Sequence, residues 1–270
     1  MSGVPAPILI VGAGHMGGAL IAGWRRSRIL APGEMILSDP EPGSEALSAH
    51  DAGAVLNPAP EVLASAQVVV LAVKPQAWRG VVEAIAPSLG PRAAVISIMA
   101  GVAAAPIAAM LGGRAVARVM PNTAAAICQG AAGVFCEDAD LRALVHSLFE
   151  PLASVVDLGE ESLMDVATAV AGSGPAYLYA LVEALQGAGA AAGLEPAAAA
   201  RLASATITGA AALLAQGTAP AEELRRRVTS PGGTTQAALE VLMAPGGFTD
   251  LLRRAVDAAV RRSRQLGALA

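Results

Sequence analysis

The sequence predicts an α/β chain: an N-terminal Rossmann-type doubly wound sheet over residues 1–160, followed by an all-α dimerisation domain over residues 161–270. Three observations predict it. Short apolar runs of β type alternate with helical segments through the first part of the chain, the pattern of a mostly parallel sheet covered on both faces. A glycine-rich turn follows the first of these runs directly. From about Glu161 the β-type runs stop, and an alanine-rich helical pattern continues almost to the end.

Taken in order, Ile8-Leu9-Ile10-Val11 is an apolar run closed by glycines and predicts the first strand, with a helix over residues 19–28 behind it. Met35-Ile36-Leu37-Ser38 predicts the second strand. Further strands are expected at residues 68–73, 94–98 and 115–120, with a weaker one at 155–158. In the second part, breaks at residues 172–175, 193–196, 217–220, 230–233 and 245–247 separate several helices, the longest expected over residues 175–192. Many of these helices lack a polar face. Such a helix must be buried, and in so small a domain that favours burial against a second copy, so an intimate homodimer is expected.

Composition excludes several classes. With 54% hydrophobic and 15% charged residues and a net charge of −4, the chain is neither disordered nor collagen-like. A mean hydropathy of +0.56 raises the question of a membrane. The uncharged run over residues 93–113 is about the length of a spanning helix, but Gly101, Pro106 and the Gly112-Gly113 pair break it, and it reads as a buried strand followed by a short alanine-rich helix. No membrane association is expected. The N-terminus has no basic segment ahead of its apolar stretch, so a cytoplasmic location is expected. Cys128 and Cys136 have no histidine pair nearby and read as small buried thiols, so no metal is expected. The 18 basic residues are scattered and only Lys74 among them is lysine, which leaves no electrostatic footprint for nucleic acid.

Gly12-Ala13-Gly14-His15-Met16-Gly17 follows strand one and opens a helix, the context in which this glycine spacing binds a dinucleotide pyrophosphate. Gly12, Gly14, His15, Met16 and Gly17 are therefore candidate cofactor residues, with His15 on the solvent side rather than catalytic. Ser38 and Asp39 end the second strand, where a carboxylate binds the adenosine ribose of NAD. No lysine or arginine occurs between Arg28 and Lys74 to meet a 2′-phosphate, which favours NADH over NADPH unless Arg25, Arg26 or a partner subunit reaches in. The competing reading makes Asp39 a turn residue before Pro40. Ala72, Val73, Lys74 and Pro75 close the next central strand, Ala100 follows another, and Met120-Pro121-Asn122-Thr123 ends the one after, all at the mouth of the expected crevice.

In the helical part, Ala171-Gly172-Ser173-Gly174-Pro175-Ala176-Tyr177 starts a helix with free N–H groups. Ser230-Pro231-Gly232-Gly233-Thr234-Thr235 has the same logic more strongly, with glycine amides and threonine hydroxyls suited to a carboxylate or phosphate oxygen. Each alone is more often a helix cap. Together, beside a dinucleotide half, they point to a small anionic substrate.

These residues resemble the pyrroline-5-carboxylate reductases, which reduce a cyclic imino acid to L-proline. The resemblance rests on residues 12–17, 72–75, 100–102, Met120-Pro121-Asn122-Thr123, residues 172–177 and most specifically 230–235. It implies NADH or NADPH as cofactor, a helical dimerisation domain, assembly of dimers into rings in many members, and an active site at the dimer interface. It also implies that the amides around Gly233, Thr234 and Thr235, with Ser230, hold the substrate carboxylate, and that the Thr235 hydroxyl stands near the ring nitrogen. Glu160 is a weaker candidate for meeting the positive iminium. Many members prefer NADPH, against the lean of Asp39. The chain departs from the family at Ala124, where a proline is usual, and at Gly187, where an acidic residue is usual. A 3-hydroxyacid dehydrogenase of the same architecture would need a lysine on the helix over residues 175–192, which has none. A non-catalytic dinucleotide-binding dimer would not need the anion pocket at Thr235.

Overall fold

The computed structural model describes residues 4–269. The first part runs β1 (Ile8–Val11), α1 (His15–Ser27), β2 (Met35–Ser38), α2 (Ser44–Asp51), β3 (Val55–Leu56), α3 (Pro60–Leu63), β4 (Val68–Leu71), α4 (Trp78–Ile85), β5 (Ala94–Ser97), α5 (Ala104–Met110), β6 (Val116–Pro121), β7 (Gly130–Phe135), α6 (Ala139–Phe149) and β8 (Ala153–Asp157). The strands form one sheet in the order β3-β2-β1-β4-β5-β6-β7-β8. Neighbours are parallel except β6 and β7. Strand order reverses between β1 and β4, the switch point at which an open sheet of this kind leaves a crevice at its carboxyl edge.

The apolar runs are continuous because both faces of the sheet are covered. In β1, Ile8 and Ile10 pack in one core with Leu20 and Trp24 of α1 and Leu148 and Phe149 of α6. Leu9 and Val11 point the other way, into a core with Trp78 and Val82 of α4 and Ile107 of α5. Each fully buried side chain of this size contributes about 1.5–3 kcal/mol. The Trp24 indole N–H donates to the Leu148 carbonyl at 2.9 Å and its ring meets Phe149 edge-on, which pins α1 to α6.

The run over residues 93–113 resolves into β5 and the short helix α5, as its glycines and proline predict. Other expectations need correction. β4 and β5 stop at Leu71 and Ser97, short of the expected 73 and 98, and α1 begins at His15 rather than at residue 19. β3 and β7 were not expected. The sequence of β7, GAAGVF, has little β-branched character, and its second glycine has a packing reason: a Cβ on Gly133 would lie 2.8 Å from the Cβ of Ala167.

Ala167 belongs to the second stretch, which continues as α7 (Met164–Ala167), a π-helical turn (Thr168–Gly172), α8 (Gly174–Ala191), α9 (Pro196–Ala215), α10 (Ala221–Arg227), α11 (Thr234–Leu242) and α12 (Phe248–Leu269). Gly193, Gly217, Gly232 and Gly246 all take positive φ in the connections, at the expected breaks. The longest helix is α12, with 22 residues, and not the expected 175–192. Its apolar positions are interleaved with Asp and Arg, so it lacks the alanine-rich signature that marks α8.

By packing, the chain forms two compact units, one ending at Ser173 and resuming at Ala258, the other being Gly174–Asp257. Residues 161–173 thus stay with the sheet, beyond the boundary expected at residue 160. They are held there by charge as well as by packing. Glu161 accepts from Arg118 Nη1 at 3.1 Å and from the Ala104 N–H at 2.7 Å, while Asp165 accepts from the Ser263 hydroxyl at 2.6 Å. In the second unit the described hydrophobic residues that are buried are Ala199 and Ala203 alone, and Leu178, Tyr179, Leu202, Leu213 and Val241 are exposed. Among the described residues one helix, α9, is long and apolar enough by length and composition to cross a membrane.

Candidate active site

The glycine turn after β1 is built as its spacing predicts. Gly12 has φ of 95°, its N–H donates to the Ser38 carbonyl at 2.8 Å, and a Cβ on it would come 2.6 Å from the Ala72 oxygen. A Cβ on Gly17 would run into the Gly12 carbonyl. The first and third glycines therefore fix the turn and bring α1 close against it. Gly14 differs: a Cβ there meets nothing within 4 Å. It faces an open cleft of about 390 Å³, lined also by His15, Gly43, Ser44 and Thr123, at the N-terminus of α1. Met16 is half-buried against the core, and His15 is exposed, as expected for its solvent-side position.

Asp39 is fixed by four hydrogen bonds. Oδ2 accepts from the Ala13 N–H at 2.5 Å and Oδ1 from the Glu41 N–H at 2.8 Å. Its own N–H and carbonyl are taken by the Asn57 carboxamide at 2.9 and 2.8 Å. Asn57, in left-handed conformation at φ 46°, was missed in the sequence. The Asn57-Pro58 dipeptide was the signal available, since Asn tolerates that conformation and the pair favours a turn. Arg25 donates to Ser48 Oγ at 3.1 Å, and Arg25, Arg26 and Arg28 line a cleft of about 820 Å³ toward the C-terminal end of α1, which shares Glu45 and Ala126 with the cleft beside Gly14.

Ser38, Ala72, Val73, Lys74, Pro75, Ala100 and Asn122 all follow or close the carboxyl ends of β2, β4, β5 and β6. Lys74 is exposed, and its carbonyl accepts from the Ala77 N–H in the turn into α4. Glu160 is exposed and accepts from the Ser162 hydroxyl at 3.1 Å. Neither cysteine is paired. Burial pushes the Cys136 thiol up from its ordinary pKa, so it rests protonated.

In the second unit, Ser230, Gly233, Thr234 and Thr235 share one turn. Gly232 takes φ of 70°, Gly233 donates to the Ser230 carbonyl at 3.0 Å, and α11 starts at Thr234 with no side chain capping its first N–H groups. The Gln236 side-chain oxygen accepts from the Gly232 N–H at 2.7 Å and stiffens the turn. The sequence had not singled out that residue. Thr235 is half-buried, Thr234 and Ser230 exposed. The glycine amides are thus spent inside the loop, and the N–H groups of Thr234 and Thr235, with the nearby hydroxyls, are the ones available to an anionic oxygen.

Residues 161–266 match the family model described as pyrroline-5-carboxylate reductase dimerisation, and residues 7–101 match that described as NADP oxidoreductase, coenzyme F420-dependent. The pyrroline-5-carboxylate reductase of Pseudomonas aeruginosa is 40% identical over 264 residues, covering 96% of each chain. The chain belongs to the pyrroline-5-carboxylate reductase family. Solved structures agree along the whole length. The Coxiella burnetii pyrroline-5-carboxylate reductase superposes with a TM-score of 0.86 at 30% identity over 97% of this chain and 98% of the other. The Plasmodium falciparum pyrroline carboxylate reductase with NADP bound gives 0.84 at 27% identity over 99% of both. As a member of the pyrroline-5-carboxylate reductase family the protein is an oxidoreductase, with the Rossmann domain and helical dimerisation domain expected from the sequence.

Proposed function

We propose that the protein reduces 1-pyrroline-5-carboxylate to L-proline in the cytoplasm, with NADH as the preferred reductant. The observation that carries this reading is the 40% identity to a pyrroline-5-carboxylate reductase over 96% of the chain, joined to an intact dinucleotide turn. The residues fit a dinucleotide: the space beside Gly14 and the N-terminus of α1 suit a pyrophosphate, and the fixed Asp39 carboxylate suits ribose hydroxyls. Each Asp39 oxygen keeps acceptor capacity beyond its one backbone bond. The same negative charge would repel a 2′-phosphate, and no lysine or arginine occurs between Arg28 and Lys74 to offset it. When bound, the reduced nicotinamide supplies the hydride that reaches C5 of the substrate ring.

The protein's own residues bind and orient the imino acid. The first-turn amides of α11 at Thr234 and Thr235, with the Ser230 hydroxyl, hold its carboxylate, Gly233 shapes the loop through its bond to the Ser230 carbonyl, and the Thr235 hydroxyl addresses the ring nitrogen. The three histidines are His15, His50 and His146, so residues 161–270 contain none to act as the usual acid or base. An imine that arrives protonated needs positioning and electrostatics more than proton transfer. Glu160 is assigned the lesser role of facing the iminium charge. We assign residues 1–160 to cofactor binding and 161–270 to substrate binding and dimerisation. The exposed leucines of α8 and α9 support a homodimer, and the family resemblance supports a ring of such dimers. Turnover of pyrroline-5-carboxylate by the purified protein with each cofactor tests the proposal.

A further inference from the structure

Asn122 stands one residue past β6, at the carboxyl edge of the sheet, and the sequence alone placed it among cofactor contacts. Its side chain is otherwise engaged. Nδ2 donates to the Ala171 carbonyl at 3.2 Å and Oδ1 accepts from the Ala131 N–H at 3.3 Å. Ala131 precedes Ala132, whose pairing with Pro121 is the last of the β6–β7 ladder. Ala171 lies in the π-helical turn Thr168–Gly172, which the Ser173 N–H closes onto the Thr168 carbonyl at 2.9 Å.

The reason a side chain is needed there is written in the sequence. In an α-helix the Ala171 carbonyl would accept the N–H of residue 175, and residue 175 is proline, which has none. The carboxamide of Asn122 provides a donor to that carbonyl while its oxygen closes the end of the ladder. Asn suits the task because it presents a donor and an acceptor on a short arm, whereas Asp has no donor and Ala has neither. Gly172 in turn packs against Met120 of β6, where a Cβ would stand 3.4 Å from the sulfur. Bonding and packing thus anchor residues 171–173 to the end of β6.

We propose that Asn122 is a positioning residue: by replacing the N–H that Pro175 lacks, it sets the path of residues 171–173, the small-residue turn that leads into α8 at the carboxyl edge of the sheet. The inference rests on the reductase reading above. Its test is a pair of backgrounds. Asn122→Ala lowers kcat/KM for pyrroline-5-carboxylate by about tenfold, the scale of one unreplaced hydrogen bond at a half-buried carbonyl, and leaves the Kd for NADH within about twofold. Asn122→Asp does no better, having no donor. In a Pro175→Ala background residue 175 regains its N–H, so the penalty of Asn122→Ala shrinks, in kcat/KM and in Tm alike. An equal penalty in both backgrounds, an unchanged kcat/KM, or a Kd for NADH that rises in step would overturn the proposal. A wild-type protein that turns over no pyrroline-5-carboxylate overturns the reductase reading instead, and the Tm values of the four proteins still decide the Asn122–Pro175 coupling.

Discussion

The Asp39 carboxylate accepts the N–H of Ala13 at 2.5 Å, so the residue that ends the second strand is tied directly to the glycine turn after the first. One charged group thereby shapes the glycine loop and, in the proposed function, sets the electrostatics where the cofactor ribose would bind. Asp39→Asn removes the charge at nearly constant shape. Loss of one backbone bond weakens both cofactors alike, so the ratio of kcat/KM for NADH to that for NADPH isolates the charge. That ratio is expected to fall by about tenfold, corresponding to about 1.4 kcal/mol of lost discrimination. A ratio that stays constant while both values drop would assign Asp39 to the loop alone.

Thr235 lies at the start of α11, in the turn that Gly233 and Gln236 hold rigid. Thr235→Ala keeps the backbone amides and removes the hydroxyl. The expected result is a fall in kcat/KM for the imino acid of about 10²-fold, with thermal stability close to wild type. Steady-state kinetics that match wild type would remove the hydroxyl from the mechanism.

Arg118 is 6% exposed at its side chain and faces Glu161 at 3.1 Å, with no hydrogen-bond partner among the described residues for Nε and Nη2. Glu161→Gln keeps an acceptor for the Ala104 N–H but leaves a buried guanidinium without its counter-charge. Urea unfolding is expected to show a loss of about 2 kcal/mol or more. Arg118→Met removes the buried charge itself and should cost less than Glu161→Gln. The reverse order would show that the pair contributes net attraction beyond its desolvation.

His146 bridges two carboxylates on the surface, Glu150 at 2.8 Å and Asp157 at 3.0 Å. The hydrogen bond to Glu150, then that to Asp157, raises its pKa above the ordinary imidazole value. A raised pKa in the folded state means that the charged form is the stabilised one. The contribution is fully present below the unfolded value of about 6.5 and is lost as pH rises through the folded one. The Tm difference between wild type and His146→Gln should therefore be largest at acidic pH and narrow on going alkaline. A difference independent of pH would mean that His146 acts by packing.

Much of this architecture was legible because apolar periodicity and glycine spacing act locally. β1 and β4 are runs of Val, Ile and Leu, and β2, β5 and β6 are largely apolar, all covered on both faces of the sheet, and Gly12 and Gly17 are required by backbone contacts only a few residues or one strand away. What stayed hidden depends on partners distant in sequence. β7 holds two glycines, and Gly133 makes sense only once Ala167 is seen against it. Asn57 secures Asp39 across 18 residues, and Asn122 reaches Ala171 across 49. Gln236 had a local signal: it is the third residue of α11, where a glutamine commonly reaches back to the amides before the helix, as it does to Gly232.

The central claim is that this chain moves a hydride to the imine carbon of pyrroline-5-carboxylate, and the direct measurement is loss of reduced-nicotinamide absorbance when that imino acid is added to the purified protein. The expected result is oxidation of NADH that depends on both substrate and enzyme, yields L-proline in equal amount, and proceeds with a higher kcat/KM than with NADPH. Absence of turnover with either cofactor would contradict it.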